Sequence, residues 1–158
     1  MLIEIRQDGF DSAQAEKLPK NVGARAVIVR GGDLMLLYLK KQDRYVLPGG
    51  GVKKGEEPPE TLKREVKEET GYEVESAEET ILLKEYFPDS IWIHHMFKAH
   101  LADTPRGRQQ LTPEERSLGL EVVFLPLEEA LRRLSEEADD VFTANIHRRE
   151  LIGILHSI

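Results

Sequence analysis

A proline, three glycines and a helix pattern follow one another between Pro48 and Gly71. Pro48 ends a short β-rich run, and the triple glycine after it lets the backbone approach another group closely. Pro58 and Pro59 suit the first turn of a helix, apolar residues then recur four apart, and Gly71 offers a C-cap. This segment predicts a strand, a glycine loop and a helix, in that order.

The remaining residues predict strands on both sides of that helix and two further helices near the C-terminal end. β-rich or apolar runs predict strands at residues 2–5, 23–29, 34–39, 45–47, 81–83, 91–99 and 121–125. Gly31 and Gly32 predict a hairpin turn between the second and third of these runs. Helical spacing of apolar residues predicts helices at residues 126–138 and 145–155. Residues 8–21 are expected to form a polar connection or brief helix, and residues 103–118 a long polar connection that could be mobile.

The order of these elements is strands, helix, strands, helix, helix. It lacks the strict alternation of a parallel doubly wound fold and contains no internal repeat. A mixed β-sheet flanked by helices, in the α/β class, is therefore expected. The chain has 158 residues, of which 40% are hydrophobic, enough for one compact domain over residues 1–158. Its first 20 residues are expected to form a short N-terminal extension or edge strand.

Charge and composition exclude several functions. A net charge of -7 offers no general attraction to the phosphates of nucleic acid, so no polymeric nucleic acid partner is expected. The absence of cysteine excludes disulfides and thiolate chemistry. The first residues carry charges where a secretory apolar core would lie, and no apolar run reaches membrane-spanning length. A cytoplasmic protein without a membrane partner is the expectation.

Three glutamates at helical offsets of zero, three and four are expected to share one helix face: Glu65, Glu68 and Glu69. Their mutual repulsion costs stability unless a cation offsets it, and a hard divalent ion prefers such oxygen ligands. This pattern favours Mg²⁺, with Mn²⁺ as the alternative. The competing interpretation is a solvated acidic face, because the same helix carries Lys63, Arg64 and Lys67 as opposite charges.

The surrounding spacing favours the metal site. Gly50 is followed by five residues, Glu56, seven residues and then Arg64-Glu65-Val66-Lys67-Glu68-Glu69-Thr70-Gly71-Tyr72. This run resembles the Nudix box of MutT-like hydrolases at every required position but the last, where the family prefers a bulky aliphatic residue to Tyr72. The resemblance implies a Nudix-type α/β/α sandwich and metal-dependent hydrolysis of a phosphoanhydride bond. It also leaves a homodimer open, since many such enzymes pair.

The resemblance also implies roles for individual residues. Metal binding would fall to three glutamates and a backbone carbonyl of the glycine loop: Glu65, Glu68, Glu69 and Gly49. One of these glutamates would double as the base that activates water. Arg64 and Glu56 would orient a glutamate through charge-assisted hydrogen bonds, although an ordinary surface ion pair is the alternative.

Residues outside the box are weaker candidates. Nudix enzymes often draw an extra glutamate from a later loop, and Glu115 is favoured over Glu114 and Glu121 because its connection could move. Three cations close to the glycine loop are expected to reach substrate phosphates: Arg25, Lys40 and Arg44. His94 and His95 alternate to opposite faces of a strand, so a paired histidine site is not expected. The aromatic residues Tyr86, Phe87, Trp92 and Phe97 could stack on a nucleobase, but the core is the favoured place for them, because a small domain with few aromatics buries most of them.

The expected substrate is a nucleoside diphosphate linked to another moiety. Nucleoside triphosphates, ADP-ribose or other nucleotide sugars, and dinucleoside polyphosphates all satisfy this description. Pro88, sixteen positions after Tyr72, matches a proline of ADP-ribose hydrolases, but turn chemistry explains it equally well. Two other classes remain open, a non-catalytic nucleotide sensor of the same fold and an acidic protein-interaction domain.

Overall fold

A computed structural model describes residues 1–158. Its larger sheet is mixed and has five strands, in the spatial order β1 (Leu2–Arg6), β7 (Val74–Tyr86), β8 (Ile91–Leu101), β2 (Lys20–Val27) and β6 (Gly49–Gly51). β1 and β7 are parallel, as are β8 and β2, whereas β7–β8 and β2–β6 are antiparallel. The glycine loop thus forms an edge strand beside β2.

A smaller antiparallel sheet surrounds β4 (Asp33–Leu39), which pairs with β3 (Val29–Arg30), β5 (Arg44–Val46) and β9 (Leu120–Pro126). The chain passes from one sheet to the other at Ile28, between β2 and β3. Gly31 and Gly32 have φ of 59° and 84°, which confirms the predicted hairpin turn. The predicted strand at residues 23–29 is therefore two strands in different sheets.

Helices cover both sides of the sheets: α1 (Pro58–Thr70), α2 (Pro113–Ser117), α3 (Leu127–Ser135) and α4 (Val141–Leu155). Leu62 and Val66 of α1 pack on one side against buried residues such as Phe97. Ala130 of α3 and Ile154 of α4 belong to the core on the other side. This arrangement matches the expected sandwich with a mixed sheet flanked by helices. No helix combines the length and apolar character that spanning a bilayer requires.

The connection after β8 is fastened to the C-terminal end of α1. Four donors in residues 106–110 reach four successive carbonyl oxygens, those of Glu68, Glu69, Thr70 and Gly71, at 2.6 to 2.8 Å. α2 then starts at a capping box in which Thr112 and Glu115 exchange hydrogen bonds. This part of the expected long polar connection caps α1, because its backbone N–H, amide and guanidinium groups satisfy the helix-end carbonyls.

Two helix boundaries differ from the predictions. α3 ends at Ser135, because the chain is extended at Glu136. α4 begins at Val141, earlier than expected, because Asp140 caps it by accepting from Thr143 N at 2.7 Å.

Candidate active site

An ion pair joins Glu56, which precedes α1, to Arg64 within the helix. Arg64 donates from Nε to Glu56 Oε2 at 2.6 Å and from Nη2 to Glu56 Oε1 at 3.0 Å. Glu56 Oε1 also accepts from Thr61 Oγ1 at 2.7 Å and from Lys53 N at 3.1 Å. These donors, Arg64 foremost, lower the pKa of Glu56 to about 2. The pair has the planar two-point geometry that fixes both side chains.

The third nitrogen of the Arg64 guanidinium reaches the neighbouring glutamates. Nη1 donates to Glu65 Oε1 at 3.0 Å and to Glu68 Oε2 at 3.2 Å. Glu65 lies flat against Gly50, where a Cβ would come within 2.6 Å of its carboxyl group. Burial raises the pKa of Glu65, while Arg64 opposes the rise. Arg64 therefore links Glu56 to two of the three helix glutamates.

Glu69 occupies the deepest position of the three. Its side chain is buried, and Oε1 accepts from Gly49 N at 2.8 Å. Burial raises the pKa of Glu69 well above its ordinary value, in spite of this hydrogen bond and the nearby Arg25. Gly49 has φ of 148°, and a Cβ there would lie 2.0 Å from Ala24 O. Only glycine lets the loop come this close to β2 and Glu69.

The carboxylates of Glu65, Glu69 and Glu115 lie close enough to repel one another, which adds to the pKa rise of the first two. Their donor atoms are oxygens only, a set that fits Mg²⁺ or Mn²⁺. No three His, Asp or Glu side chains are already gathered in a metal-binding arrangement. Arg64 donates to Glu65 and Glu68, and Gly49 N donates to Glu69. A divalent cation would offset the repulsion between them.

A cleft of about 440 Å³ opens beside Glu69 and Gly49 and extends between β8 and α4. Arg25 lines it with its Nη1 donating to Leu47 O at 3.3 Å, while its buried Nε has no hydrogen-bond partner. Burial and the neighbouring Arg149 lower the pKa of Arg25. A guanidinium is a cation of the kind that binds phosphate oxygens.

The two other predicted phosphate-binding cations lie in different surroundings. Arg44 lines the cleft, and both its Nε and Nη2 donate to Thr143 Oγ1, at 3.2 and 3.1 Å. Lys40 lies outside the cleft and pairs with Glu121 at 2.5 Å, with both side chains half exposed. The structure therefore brings Arg25 and Arg44 into the cleft beside Glu69 and leaves Lys40 on the surface.

Aromatic residues divide between core and cleft. Tyr86 and Phe97 are buried, as expected. The expectation was wrong for Trp92 and Phe87, which are partly exposed and line the cleft. Trp92 and His94 are two residues apart on β8, so they share a face, and their rings stack at 5.7 Å. Alternation along β8 was the sequence signal that could have placed Trp92 in the site.

A buried charged cluster at the back of the cleft was missed by sequence reasoning. Glu85 accepts a hydrogen bond from His94 Nε2 at 3.0 Å, and Arg149 Nε donates to Glu150 Oε1 at 2.6 Å. All four side chains are buried. Consecutive Arg and Glu residues in an amphipathic helix are usually solvated, so the helical pattern did not indicate that Arg149 and Glu150 are buried. His94 contacts Glu85 and His95 contacts Glu79, as expected for side chains that alternate to opposite faces of β8.

This combination of fold and site defines a class, the hydrolases that present carboxylates from one helix to a glycine loop. A family model described as NUDIX domain matches residues 19–146, which include the glycine loop and α1. The chain therefore belongs to the NUDIX family. It is a Nudix hydrolase, an enzyme that acts on acid anhydrides in phosphorus-containing compounds.

Individual relatives agree with this assignment. The chain is 30% identical over 148 residues to an ADP-ribose pyrophosphatase of Bacillus subtilis (strain 168), covering 90% of this chain and 77% of that protein. A NUDIX hydrolase from Nitrosomonas europaea matches with a TM-score of 0.63 and 17% identity, covering 85% of this chain and 90% of that one. The MutT NUDIX hydrolase from Burkholderia pseudomallei matches with a TM-score of 0.58 and 23% identity, covering 82% of this chain and 96% of that one. The two structures establish the fold alone.

Proposed function

We propose that this enzyme hydrolyses the phosphoanhydride bond of a nucleotide sugar of the ADP-ribose type, with Mg²⁺ as its cofactor. The supporting observation is the cleft, which joins Glu69 and Gly49 to a region lined by Arg25, Arg44 and Trp92. Such a cleft fits a diphosphate at one end and an aromatic base beyond it. The ADP-ribose pyrophosphatase at 30% identity supports the same substrate class.

The chain's own residues divide the work in this proposal. Glu65, Glu68 and Glu69 of α1 would hold the ion, and the backbone carbonyl of Gly49 in the glycine loop would be a further oxygen ligand. When bound, Mg²⁺ polarises a phosphoryl oxygen and lowers the pKa of an attacking water. Arg64 keeps Glu65 and Glu68 in register by holding both from one nitrogen.

A carboxylate of this site must also receive the proton of the attacking water. Glu115 is our choice, because it lies beside Glu65 and Glu69 and its α2 backbone is fixed by the capping box. Arg25 and Arg44 bind the diphosphate, since both line the cleft. Trp92 provides a flat surface for the base.

The first experiment incubates the protein with Mg²⁺ and equal concentrations of ADP-ribose, other nucleotide sugars, nucleoside triphosphates and dinucleoside polyphosphates. Products are identified by mass. ADP-ribose is expected to give AMP and ribose 5-phosphate, with kcat/KM at least about tenfold above any triphosphate. EDTA abolishes turnover, and Glu69→Gln lowers kcat at least about a hundredfold.

Four outcomes would change the proposal. Faster hydrolysis of a triphosphate or a dinucleoside polyphosphate would replace the substrate class and leave the hydrolase intact. Turnover that survives EDTA would contradict the role of Mg²⁺. Binding of ADP-ribose without turnover of any compound would favour a nucleotide sensor. If Glu115→Gln keeps the parental kcat, one of the α1 glutamates, and not Glu115, receives the proton of the attacking water.

A further inference from the structure

The C-terminal helix α4 contacts the free edge of β5 through two buried side chains one turn apart. Tyr45 N donates to His147 Nε2 at 2.9 Å. Leu47 N donates to Glu150 Oε2 at 2.5 Å. Because N–H groups on one edge of a strand recur every second residue, α4 takes the hydrogen bonds that a further strand would make here.

Leu47 leads directly into the glycine loop. The proline after it has no N–H, so the next backbone donor is Gly49 N. That donor reaches Glu69 Oε1 at 2.8 Å. Glu150 and Glu69 therefore hold successive N–H groups of one short segment, from α4 on one side and from α1 on the other.

Glu150 is completely buried, and Arg149 holds its second oxygen. Burial raises the pKa of Glu150, but the guanidinium groups of Arg149 and Arg25 lower it, and the pKa lies below its ordinary value overall. A buried ion pair commonly stabilises a protein less than apolar side chains of the same shape would. Docking of α4 alone does not explain why a charged side chain stands at this position. Its distinguishing property is the directed hydrogen bond to Leu47.

We propose that Glu150 is a positioning residue for the Nudix reaction, which holds Leu47 N–H and thereby fixes the backbone of Pro48 and Gly49 against Glu69. This inference uses the hydrolase class and is independent of which nucleotide is the substrate. β2 holds the other side of this segment, because Ala26 N donates to Pro48 O at 2.9 Å and β6 pairs with β2, and Glu150 adds the attachment from α4. A displacement of about 1 Å at a reacting centre can cost about a hundredfold in rate, so a distant anchor has a measurable effect.

Glu150→Gln and His147→Gln form a matched pair. Each alters a buried side chain of α4 that accepts a backbone N–H, but only Glu150 contacts Leu47. A glutamine side chain has one oxygen for the two donors that Glu150 serves, and because the charged Arg149 Nε takes that oxygen, the NH₂ group faces Leu47 N and cannot accept from it. Both are assayed with Mg²⁺ and ADP-ribose, or with the compound of the substrate panel that is hydrolysed fastest. Glu150→Gln is expected to lower kcat at least about tenfold with KM changed less than about threefold. Both variants are expected to lower Tm by similar amounts. His147→Gln is expected to leave kcat within about twofold of the parent.

Amide hydrogen exchange tests the same idea without turnover. In the ¹⁵N-labelled parent, the amides of Leu47 and Gly49 are expected to be protected. In Glu150→Gln the Gly49 amide should exchange at least about tenfold faster, whereas His147→Gln should leave it unchanged. Unaltered Gly49 exchange in Glu150→Gln, or equal loss of kcat in both variants, would overturn the proposal. If Glu150→Gln does not fold, an unprotected Leu47 amide in the parent would overturn the proposal.

Discussion

Arg64 uses all three nitrogens of its guanidinium on carboxylates. Two nitrogens hold Glu56, and the third holds Glu65 and Glu68. A lysine ammonium is a point charge and cannot span these positions in one plane. The neighbouring glutamates therefore owe their orientation to one side chain, and that side chain is in turn fixed by Glu56.

The acid stability of the protein should depend on Glu56. Its pKa is about 2 in the folded chain against an ordinary value of 4.5. A depressed pKa means that the ionised form stabilises the fold fully above the ordinary value, and that this contribution is lost as pH falls towards 2. Urea midpoints of the parent and Glu56→Gln, compared between pH 6 and pH 3, should differ most at pH 6 and converge on acidification. A gap that stays constant with pH would contradict this role.

Substrate affinity should distinguish the two cations on either side of the turn between β4 and β5. Arg44 lines the cleft, and Lys40 does not. Arg44→Gln is expected to raise KM at least about tenfold with a smaller change in kcat, because a phosphate contact is lost. Lys40→Gln removes the same charge outside the cleft and should leave KM within about twofold. Equal increases in KM would show that net charge, and not position, attracts the substrate.

At the scale of the elements, α1 depends on a segment far away in the chain. Residues 106–110 satisfy its C-terminal carbonyls and lead into α2, which holds Glu115. Gly71 makes this contact close, since a Cβ there would lie 2.2 Å from Gly107 O. The end of α1 and the position of Glu115 are therefore coupled.

Gly71→Ala tests this coupling, with Gly31→Ala as its control. Both glycines have positive φ, but a Cβ at Gly31 meets no atom within 4 Å. Gly31→Ala should cost about 1 kcal/mol of unfolding free energy and leave kcat unchanged. Gly71→Ala should cost at least about 2 kcal/mol, because strain and a backbone clash add, and should also lower kcat. Denaturant unfolding and kinetics measure both, and similar losses in the two variants would argue against the coupling.

At the scale of the whole molecule, one core joins the two sheets. Its buried residues come from β1, β2, β4, β7, β8, α3 and α4. A core shared in this way supports the proposal of a single domain over residues 1–158. Helix α1 lies on the opposite side with its own apolar contacts. One α1 carboxylate, that of Glu69, lines the cleft that extends towards α4 on the other side of the molecule.

Addition of Mg²⁺ should reverse the order of melting temperature between the parent and Glu69→Gln. Because the pKa of Glu69 is raised, its ionised form destabilises the fold at neutral pH, and this cost disappears below the ordinary pKa. In EDTA at pH 7.5, Glu69→Gln should therefore melt at or above the parent temperature. With Mg²⁺ at a hundredfold excess over Kd, the parent should gain about 2.7 kcal/mol and melt higher. A parent Tm that does not respond to Mg²⁺ would contradict metal binding at this site.

Local patterns were reliable where one residue type fixes the backbone. Gly31 and Gly32 gave the hairpin turn, and Gly71 gave the end of α1, because these positions require positive φ. The β2 strand and its continuation beyond Ile28 were predicted as one strand, since the passage between sheets leaves the apolar run unbroken. The strand at residues 81–83 runs over Val74–Tyr86, because its polar part is paired with β8.

The sequence by itself determined the helix with its glutamates, the glycine loop before it and the family to which they belong. These follow from short spacing and from the conformations that glycine and proline allow. Only the tertiary structure decided that Arg44 enters the cleft while Lys40 does not, that Trp92 faces the site, and that Glu150 reaches Leu47. Those contacts join residues distant in the chain, such as Leu47 and Glu150, and depend on how α4 packs beside β5. No local pattern carries that information, because packing of the whole core sets the distance between the two elements.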